Sequence, residues 1–161
     1  MGKGSKDALM KISALEEYGL RCLIQVARSQ DKGPLSIPEI ARREGITVDY
    51  TTKLLTILRR GGFLKSVRGT QGGYLLARAP EEITLAQVMR HLGGPIFETG
   101  TCDHFPGGAT QCVHLADCGM RSVWVGVTKH LFDVLDKLTL ASIMENEASV
   151  TAFIDKTVLE V

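Results

Sequence analysis

The stretch that decides the fold runs from residue 36 to residue 78 and reads SIPEIARREGITVDYTTKLLTILRRGGFLKSVRGTQGGYLLAR. It opens with Ser and Glu at the spacing of a capping box, which predicts a short helix over residues 37–44 that Gly45 ends. Thr47 is a typical N-cap residue, so we expect a longer helix to begin there and to reach about Arg60. Two helices joined by a tight, glycine-containing turn are typical of a helix-turn-helix.

A hairpin with a glycine-rich tip follows directly. Two strand-like runs, over residues 63–68 and 74–78, flank a turn over residues 69–73. In a winged helix-turn-helix, the second helix enters the major groove of DNA and the hairpin contacts the backbone or the minor groove. The pattern therefore predicts a winged helix-turn-helix in a chain that is mainly α with a small β-hairpin.

The charge distribution agrees with a nucleic-acid partner. Residues 1–80 carry 14 Lys and Arg against 7 acidic residues, whereas residues 81–161 carry 5 against 11. A basic half of this kind indicates contact with a polyanion, although winged helices also serve as protein-interaction modules. The expected DNA-contacting residues are Asp49, Tyr50, Thr51, Thr52, Lys53, Arg59, Arg60, Arg68, Thr70 and Gln71. Thr51 also lies on the apolar face of its helix, which leaves a half-buried position open for it.

Three further helices are expected outside this region. Capping boxes predict helices over residues 13–29 and 84–92, and a longer one spans about residues 121–137. The apolar residues of this longer helix recur about every 3.5 positions, as in a coiled-coil seam that needs a partner helix. The seam consists of Trp124, Val127, Leu131, Val134 or Leu135, and Leu138. This long C-terminal helix is therefore predicted to form a homodimer.

Composition and segment boundaries place the chain among ordinary globular proteins. Of its 161 residues, 44% are apolar and 23% are charged, with no run of 18 apolar residues and no apolar signal core near the polar N-terminus. We expect a cytoplasmic protein without membrane contact. The expected segments are a disordered extension (1–9), a winged-helix DNA-binding region (10–80), a cysteine-loop sensor with the dimerisation helix (81–145) and a mobile tail (146–161).

The sequence contains no pattern of an enzyme active site. A phosphate-binding glycine loop would open a helix after a strand, whereas the glycines of residues 69–73 are followed by a strand. A nucleophile elbow and an H-E-x-x-H zinc helix are also missing from the sequence. We therefore expect a protein that is not an enzyme.

Three cysteines, Cys102, Cys112 and Cys118, fall within 17 residues. Thiolates select zinc, copper(I) or iron–sulfur clusters, and structural zinc sites usually contain paired C-x-x-C knuckles, which this segment lacks. Gaps of nine and five residues favour the wrapping of a larger object such as a cluster. Zinc binding or a thiol/disulfide switch at the same cysteines is the alternative. Cys22 falls on an apolar helical stripe and is expected in the core.

Three motifs resemble one protein family. They are EYGLR at residues 17–21, IARREGI at residues 40–46 and VRGTQGGYLLAR at residues 67–78. They look like the Rrf2 family of bacterial winged helix-turn-helix transcriptional regulators, of the IscR, NsrR and RirA type, over about residues 10–143. The resemblance implies a homodimer on a palindromic operator in double-stranded DNA. It also implies an iron–sulfur cluster that reports iron, redox or nitric-oxide status to a regulator, expected to be a repressor; an apo preparation would lack the cluster.

The resemblance leaves the fourth cluster ligand open. In IscR-type members a His three residues after the last Cys completes a 2Fe–2S site, but Arg121 occupies this position here and is not a ligand type. In NsrR-type members an acidic residue of the partner's first helix completes a 4Fe–4S site, and Glu17 matches it. This match favours a 4Fe–4S over a 2Fe–2S cluster. His114 and His104 are the alternatives within the loop.

Overall fold

The structure, a computed structural model, describes residues 12–94 and 112–158. Within them it has seven α-helices and one antiparallel hairpin, which confirms the expected fold class. The elements are α1 (Ala14–Arg28), α2 (Ile37–Glu44), α3 (Val48–Arg60), β1 (Leu64–Val67), β2 (Gly73–Leu76), α4 (Leu85–Gly93), α5 (Gly119–Lys137), α6 (Leu140–Ile143) and α7 (Glu147–Val158), with 3₁₀ turns at Gln30–Lys32 and Pro80–Glu82. Among these helices none is long and apolar enough to cross a membrane. The expected extension at residues 1–9 lies outside the described residues.

Side-chain capping hydrogen bonds form at the starts of α1, α3, α4 and α6 but not at the starts of α2 and α5. The capping box at the start of α1 forms, because Ser13 accepts a hydrogen bond from the Glu16 N–H and the Glu16 carboxylate accepts one from the Ser13 N–H. The box predicted at α2 is wrong, because the Ser36 side chain makes no cap hydrogen bond and Glu39 bonds to arginines of its own helix. The helix nevertheless ends as predicted at Gly45, whose φ of 65° suits glycine.

The core joins α1, the helix-turn-helix and the hairpin. Its fully buried members are Cys22, Leu23, Val26, Ile40, Leu54, Leu55, Leu58 and Ile83. Burial raises the pKa of the Cys22 thiol to about 12, so this cysteine stays protonated and unreactive at neutral pH. The prediction that Cys22 is a core residue is confirmed.

A partly buried ion pair connects α2 to α1. The Glu44 side chain is only 5% exposed and accepts hydrogen bonds from the Arg21 Nε and the Gln25 Nε2, both at 2.6 Å. A buried carboxylate is tolerated only when it is paired and hydrogen-bonded in this way. The pair therefore fixes the angle at which the helix-turn-helix leaves α1.

The wing is held against the helix-turn-helix by its backbone. Its two strands pair from Leu64↔Leu76 to Val67↔Gly73. Leu35 then pairs with Tyr74 on the other side of β2 through hydrogen bonds of 3.0 and 2.9 Å. Gly73 lies so close to the Leu35 carbonyl that no Cβ would fit, which explains why glycine is used there.

The C-terminal half of α5 packs on α4. Phe132 is buried against Ala86 and Met89, and the Arg90 guanidinium lies 4.3 Å from the centre of the Phe132 ring. The Leu85 N–H donates to the Leu138 carbonyl at 2.8 Å. These contacts attach the C-terminal end of α5 to α4.

The N-terminal half of α5 exposes apolar side chains in the single chain. Trp124 is 46% exposed and Val127 is 56% exposed. Met120, Val123 and Val125 are also exposed on this half of the helix. A cluster of this kind marks an interaction surface, which agrees with the seam predicted from the sequence.

The expected mobile tail differs from the structure, which has helix α7 over most of it. The reason is a local cap: the Asn146 side chain accepts a hydrogen bond from the Ser149 N–H at 3.0 Å. A 12-residue helix begins directly after this residue.

Candidate nucleic-acid interface and cysteine site

Helix α3 presents one polar face to solvent. Thr47 caps it by accepting a hydrogen bond from the Tyr50 N–H, and its apolar face is buried. The polar residues left exposed are Asp49, Thr52, Lys53, Arg59 and Arg60, and Val48 at the start of the helix is exposed as well. Early exposed positions on such a helix are the ones that reach base edges in the major groove.

Two of the expected contact residues are held by the protein instead. Thr51 is fully buried and its hydroxyl donates to the Thr47 carbonyl at 2.9 Å, so its prediction as a DNA contact is corrected. Tyr50 is half-buried, and its ring meets that of Tyr18 edge-on with centroids 6.1 Å apart. Arg21 lies over the other ring of this pair, 5.2 Å from the Tyr18 centroid. Tyr50 thus anchors the start of α3 to α1.

The tip of the wing exposes the polar residues predicted for DNA contact. Arg68, Thr70 and Gln71 are all exposed, and Gly69 has a φ of 120° that permits the tight turn. Within the described residues Arg68 makes no ion pair. Its guanidinium is therefore available to an external anion.

The cations of α2 are less available. The Glu39 carboxylate accepts hydrogen bonds from Arg42 and Arg43, which lower its pKa to about 2. Five cations of α3 and the wing form no ion pair within the described part of the chain. They are Lys53, Arg59, Arg60, Lys65 and Arg68. The reading helix and the hairpin therefore carry positive charge that no neighbouring carboxylate offsets.

A groove of about 410 Å³ lies between the start of α2 and the wing. Ser36 and Pro38 line one side of it, and Ser66 and Arg68 line the other. Hydroxyl and guanidinium donors of this kind contact phosphate oxygens. The groove therefore places donors suited to phosphate from the start of α2 opposite those of the wing.

Arg68→Ala is expected to weaken DNA binding while leaving the fold intact, because Arg68 is exposed and contributes nothing to the core. The expected loss is about 1–3 kcal/mol, the scale of one arginine contact. Titration of DNA at several salt concentrations measures the loss, with Lys129→Ala on α5 as the control. Unchanged affinity at every salt concentration would remove Arg68 from the interface.

Thr52→Ala and Lys53→Ala are expected to change sequence preference more than overall affinity. Both residues are exposed in the early turns of α3, and the Thr52 hydroxyl donates to the Val48 carbonyl while its lone pairs remain available. A base contact of this kind discriminates by about 1–3 kcal/mol. Selection from random DNA checks the prediction, which fails if both variants return the wild-type motif.

The described part of the cysteine segment is organised around the start of α5. Cys118 is the N-cap residue of α5, where the positive end of the helix dipole attracts negative charge such as that of metal-bound sulfur. Cys112 closes a turn, since its carbonyl accepts a hydrogen bond from the Leu115 N–H at 3.1 Å. Both cysteines are half-buried. Cys102 and His104 lie outside the described residues.

Arg121 holds this turn and was not predicted to do so. Its Nη2 donates to the Leu115 carbonyl at 2.6 Å and to the His114 carbonyl at 3.2 Å. Its Nε is buried and has no hydrogen-bond partner in the structure as described. A buried charged donor in the segment that carries Cys112 and Cys118 fits an anionic site, because such a site supplies acceptors that the described residues do not.

The structure describes two of the other predicted ligands. Glu17 is exposed on the first turn of α1, and His114 is exposed in the turn after Cys112. Within the described ranges no group of three or more His, Cys, Asp or Glu side chains could hold a metal ion.

The fold, the exposed face of α3 and the cationic wing define a winged helix-turn-helix transcriptional regulator. The model of the Rrf2 family, described as an iron-dependent transcriptional regulator, matches residues 12–146. The chain therefore belongs to the Rrf2 family, which confirms the resemblance, and this is a family of DNA-binding regulators rather than enzymes.

Several related proteins align with this chain over most of their length. It is 33% identical over 140 residues to the protein rrf2 of Nitratidesulfovibrio vulgaris, covering 85% of this chain and 89% of that one. The solved structure of T. potens IscR is 34% identical with a TM-score of 0.66, covering 83% and 85%. The oxidized form of Staphylococcus aureus CymR is 30% identical with a TM-score of 0.65, covering 85% and 98%.

Proposed function

We propose that this protein is a homodimeric repressor that binds a palindromic DNA operator and senses iron, redox or nitric-oxide status through an iron–sulfur cluster. Cys102, Cys112 and Cys118 are the proposed cysteine ligands. The observation that carries the proposal is the position of Cys118 at the N-cap of α5. The sensing segment thereby leads directly into the helix that exposes the proposed dimer surface.

On the DNA side, we assign base reading to the start of α3 and backbone contact to its end and the wing. Asp49, Thr52 and Lys53 are the proposed readers. The proposed backbone and minor-groove contacts are Arg59, Arg60, Arg68, Thr70 and Gln71. Two copies of α3 related by a twofold axis would face two half-sites, which is why the operator is proposed to be palindromic.

On the sensing side, a non-cysteine fourth ligand completes the site. Glu17 of the partner subunit is the favoured candidate, with a 4Fe–4S cluster, and His114 or His104 of the same loop is the alternative. When bound, such a cluster supplies an iron that reacts with nitric oxide or oxygen and is lost when iron is scarce. A ligand from the partner would make the distance between the two DNA-binding regions depend on the state of the site.

The described residues contain a contact path from the cysteine segment to the reading helix. Cys118 begins α5, and α5 packs on α4 through Phe132. The His91 ring of α4 then hydrogen-bonds through Nε2 to the Ile57 carbonyl in the last turn of α3, at 2.8 Å. A shift of α5 can therefore reach α3 through packed elements without a long unstructured connection.

A second candidate function uses the same cysteines without a cluster. Cys112 and Cys118 are both half-buried thiols, accessible to zinc or to oxidation. The similarity to the oxidized form of Staphylococcus aureus CymR favours a thiol switch as this alternative. DNA binding would then respond to disulfide formation or to zinc.

Anaerobic purification followed by metal and sulfide analysis separates the two candidates. A brown protein with near-equal iron and sulfide and a broad visible absorption supports the cluster. A colourless protein containing zinc, or one whose DNA affinity changes with a thiol oxidant alone, supports the second candidate and refutes the first.

A further inference from the structure

Arg121 combines three features that the proposed DNA contacts and cysteine ligands do not explain. It lies three residues after Cys118, it bonds to two carbonyls of the turn between Cys112 and Cys118, and its Nε is buried. Guanidinium nitrogens do not ligate metals, because the group stays protonated. The residue therefore acts on the site in another way.

The carbonyl contacts define one part of its role. The Arg121 Nη2 bonds to the carbonyls of His114 and Leu115, while the Leu115 N–H bonds to the Cys112 carbonyl. One guanidinium thus fixes the turn that sets Cys112 relative to Cys118. Charge-assisted hydrogen bonds are about twice as strong as neutral ones, so this turn is held firmly before any ligand binds.

The buried Nε–H of Arg121 defines the second part of its role at the cysteine site. A buried donor without a partner is unfavourable, and natural proteins keep such groups where a ligand, ion or water supplies the acceptor. No described residue supplies an acceptor for this N–H. The Cys112 and Cys118 thiols do not accept this hydrogen bond either, so an acceptor would have to come from a group bound at the cysteine site.

We propose that Arg121 is a positioning residue for the cysteine site: its Nη2 preforms the turn between Cys112 and Cys118, and its Nε–H donates to a site sulfur. Its positive charge offsets the negative charge of metal-bound sulfur. Because hydrogen bonds and charge near cluster sulfurs raise the reduction potential, Arg121 sets the potential at which the sensor responds. The role of the Nε–H and the effect on the reduction potential rest on the proposed cluster, whereas the role of Nη2 in the turn does not.

The test uses two variants. Arg121→Gln removes the charge, and Arg121→Lys keeps the charge but lacks the planar guanidinium with its several N–H donors. Arg28→Gln is the matched control, since Arg28 also donates to a backbone carbonyl, that of Met144, in another part of the fold. Hydrogen exchange of the Leu115 amide is measured in metal-free protein. We expect both Arg121 variants to exchange faster than wild type by on the order of tenfold and Arg28→Gln to match wild type at this amide.

The second measurement compares reduction potential and cluster loss to a chelator in anaerobically loaded proteins. We expect Arg121→Gln to have a more negative potential and several-fold faster loss, and Arg121→Lys to keep a potential near that of wild type. The difference between the two variants separates the effect of the charge from the effect of turn formation. Unchanged Leu115 exchange, or equal potentials in wild type and Arg121→Gln, overturns the inference. A wild-type protein without iron and sulfide overturns the proposed cluster instead, while the exchange test still decides whether Arg121 holds the turn.

Discussion

Val127→Asp is expected to convert the protein to a monomer and to lower its affinity for an operator with two half-sites by on the order of a hundredfold or more. Val127 is 56% exposed in the single chain, near Val123 and Trp124 in the sequence, which are 51% and 46% exposed. In the proposed dimer these side chains are buried, and a buried, unpaired carboxylate is strongly unfavourable. The loss of the second subunit then removes the avidity of two linked DNA-binding regions.

Val127 is a sharper test position than Leu131, which also lies on the seam. Leu131 is half-buried within its own chain, so that a charge there could unfold the subunit as well as separate the dimer. Light scattering measures the mass, circular dichroism checks the fold, and Lys129→Asp on another face of α5 is the control. A folded Val127→Asp protein that stays dimeric would show that the dimer forms through another surface.

Replacing Cys102, Cys112 or Cys118 individually with Ser is expected to abolish the visible chromophore of anaerobically prepared protein. Each is a proposed ligand, and a hydroxyl is a much poorer ligand for iron in a sulfide cluster than a thiolate. Cys22→Ala is the control, since Cys22 is fully buried with its pKa raised to about 12. A chromophore that survives any of the three loop substitutions would remove that cysteine from the site.

The fourth ligand is tested separately. If Glu17 of the partner subunit is the ligand, Glu17→Ala should alter the spectrum, speed cluster loss and make DNA affinity less dependent on the cluster. His114→Ala should then resemble wild type. The reverse pattern would place the ligand within the loop and remove the bridge between subunits from the proposed mechanism.

The sequence was sufficient for features that depend on neighbouring residues. The ends of α2 and α3 follow from Gly45 and from the Thr47 cap, and the turn of the wing follows from its glycines. Such signals act within a few residues, so they can be read without knowing the fold. Two of the three family motifs, at residues 40–46 and 67–78, lie in the same segments.

Features that depend on competition between contacts could not be read in this way. Thr51 fits both the polar and the apolar pattern of α3, and packing against the core buries its side chain. The capping box predicted at Ser36 does not form, and Glu39 instead accepts hydrogen bonds from Arg42 and Arg43 of its own helix. The role of Arg121 depends on where the chain turns after Cys112, which spacing alone does not define.

The central claim is that the state of a site at Cys102, Cys112 and Cys118 controls DNA binding by a dimer. The most direct measurement is the affinity of one operator fragment for the same anaerobic preparation before and after removal of its iron, with iron and sulfide quantified in each sample. The account predicts an affinity that differs by on the order of tenfold or more between the two states, the usual size of coupling between two sites. Equal affinities, in a preparation that holds iron and sulfide when loaded, would contradict it.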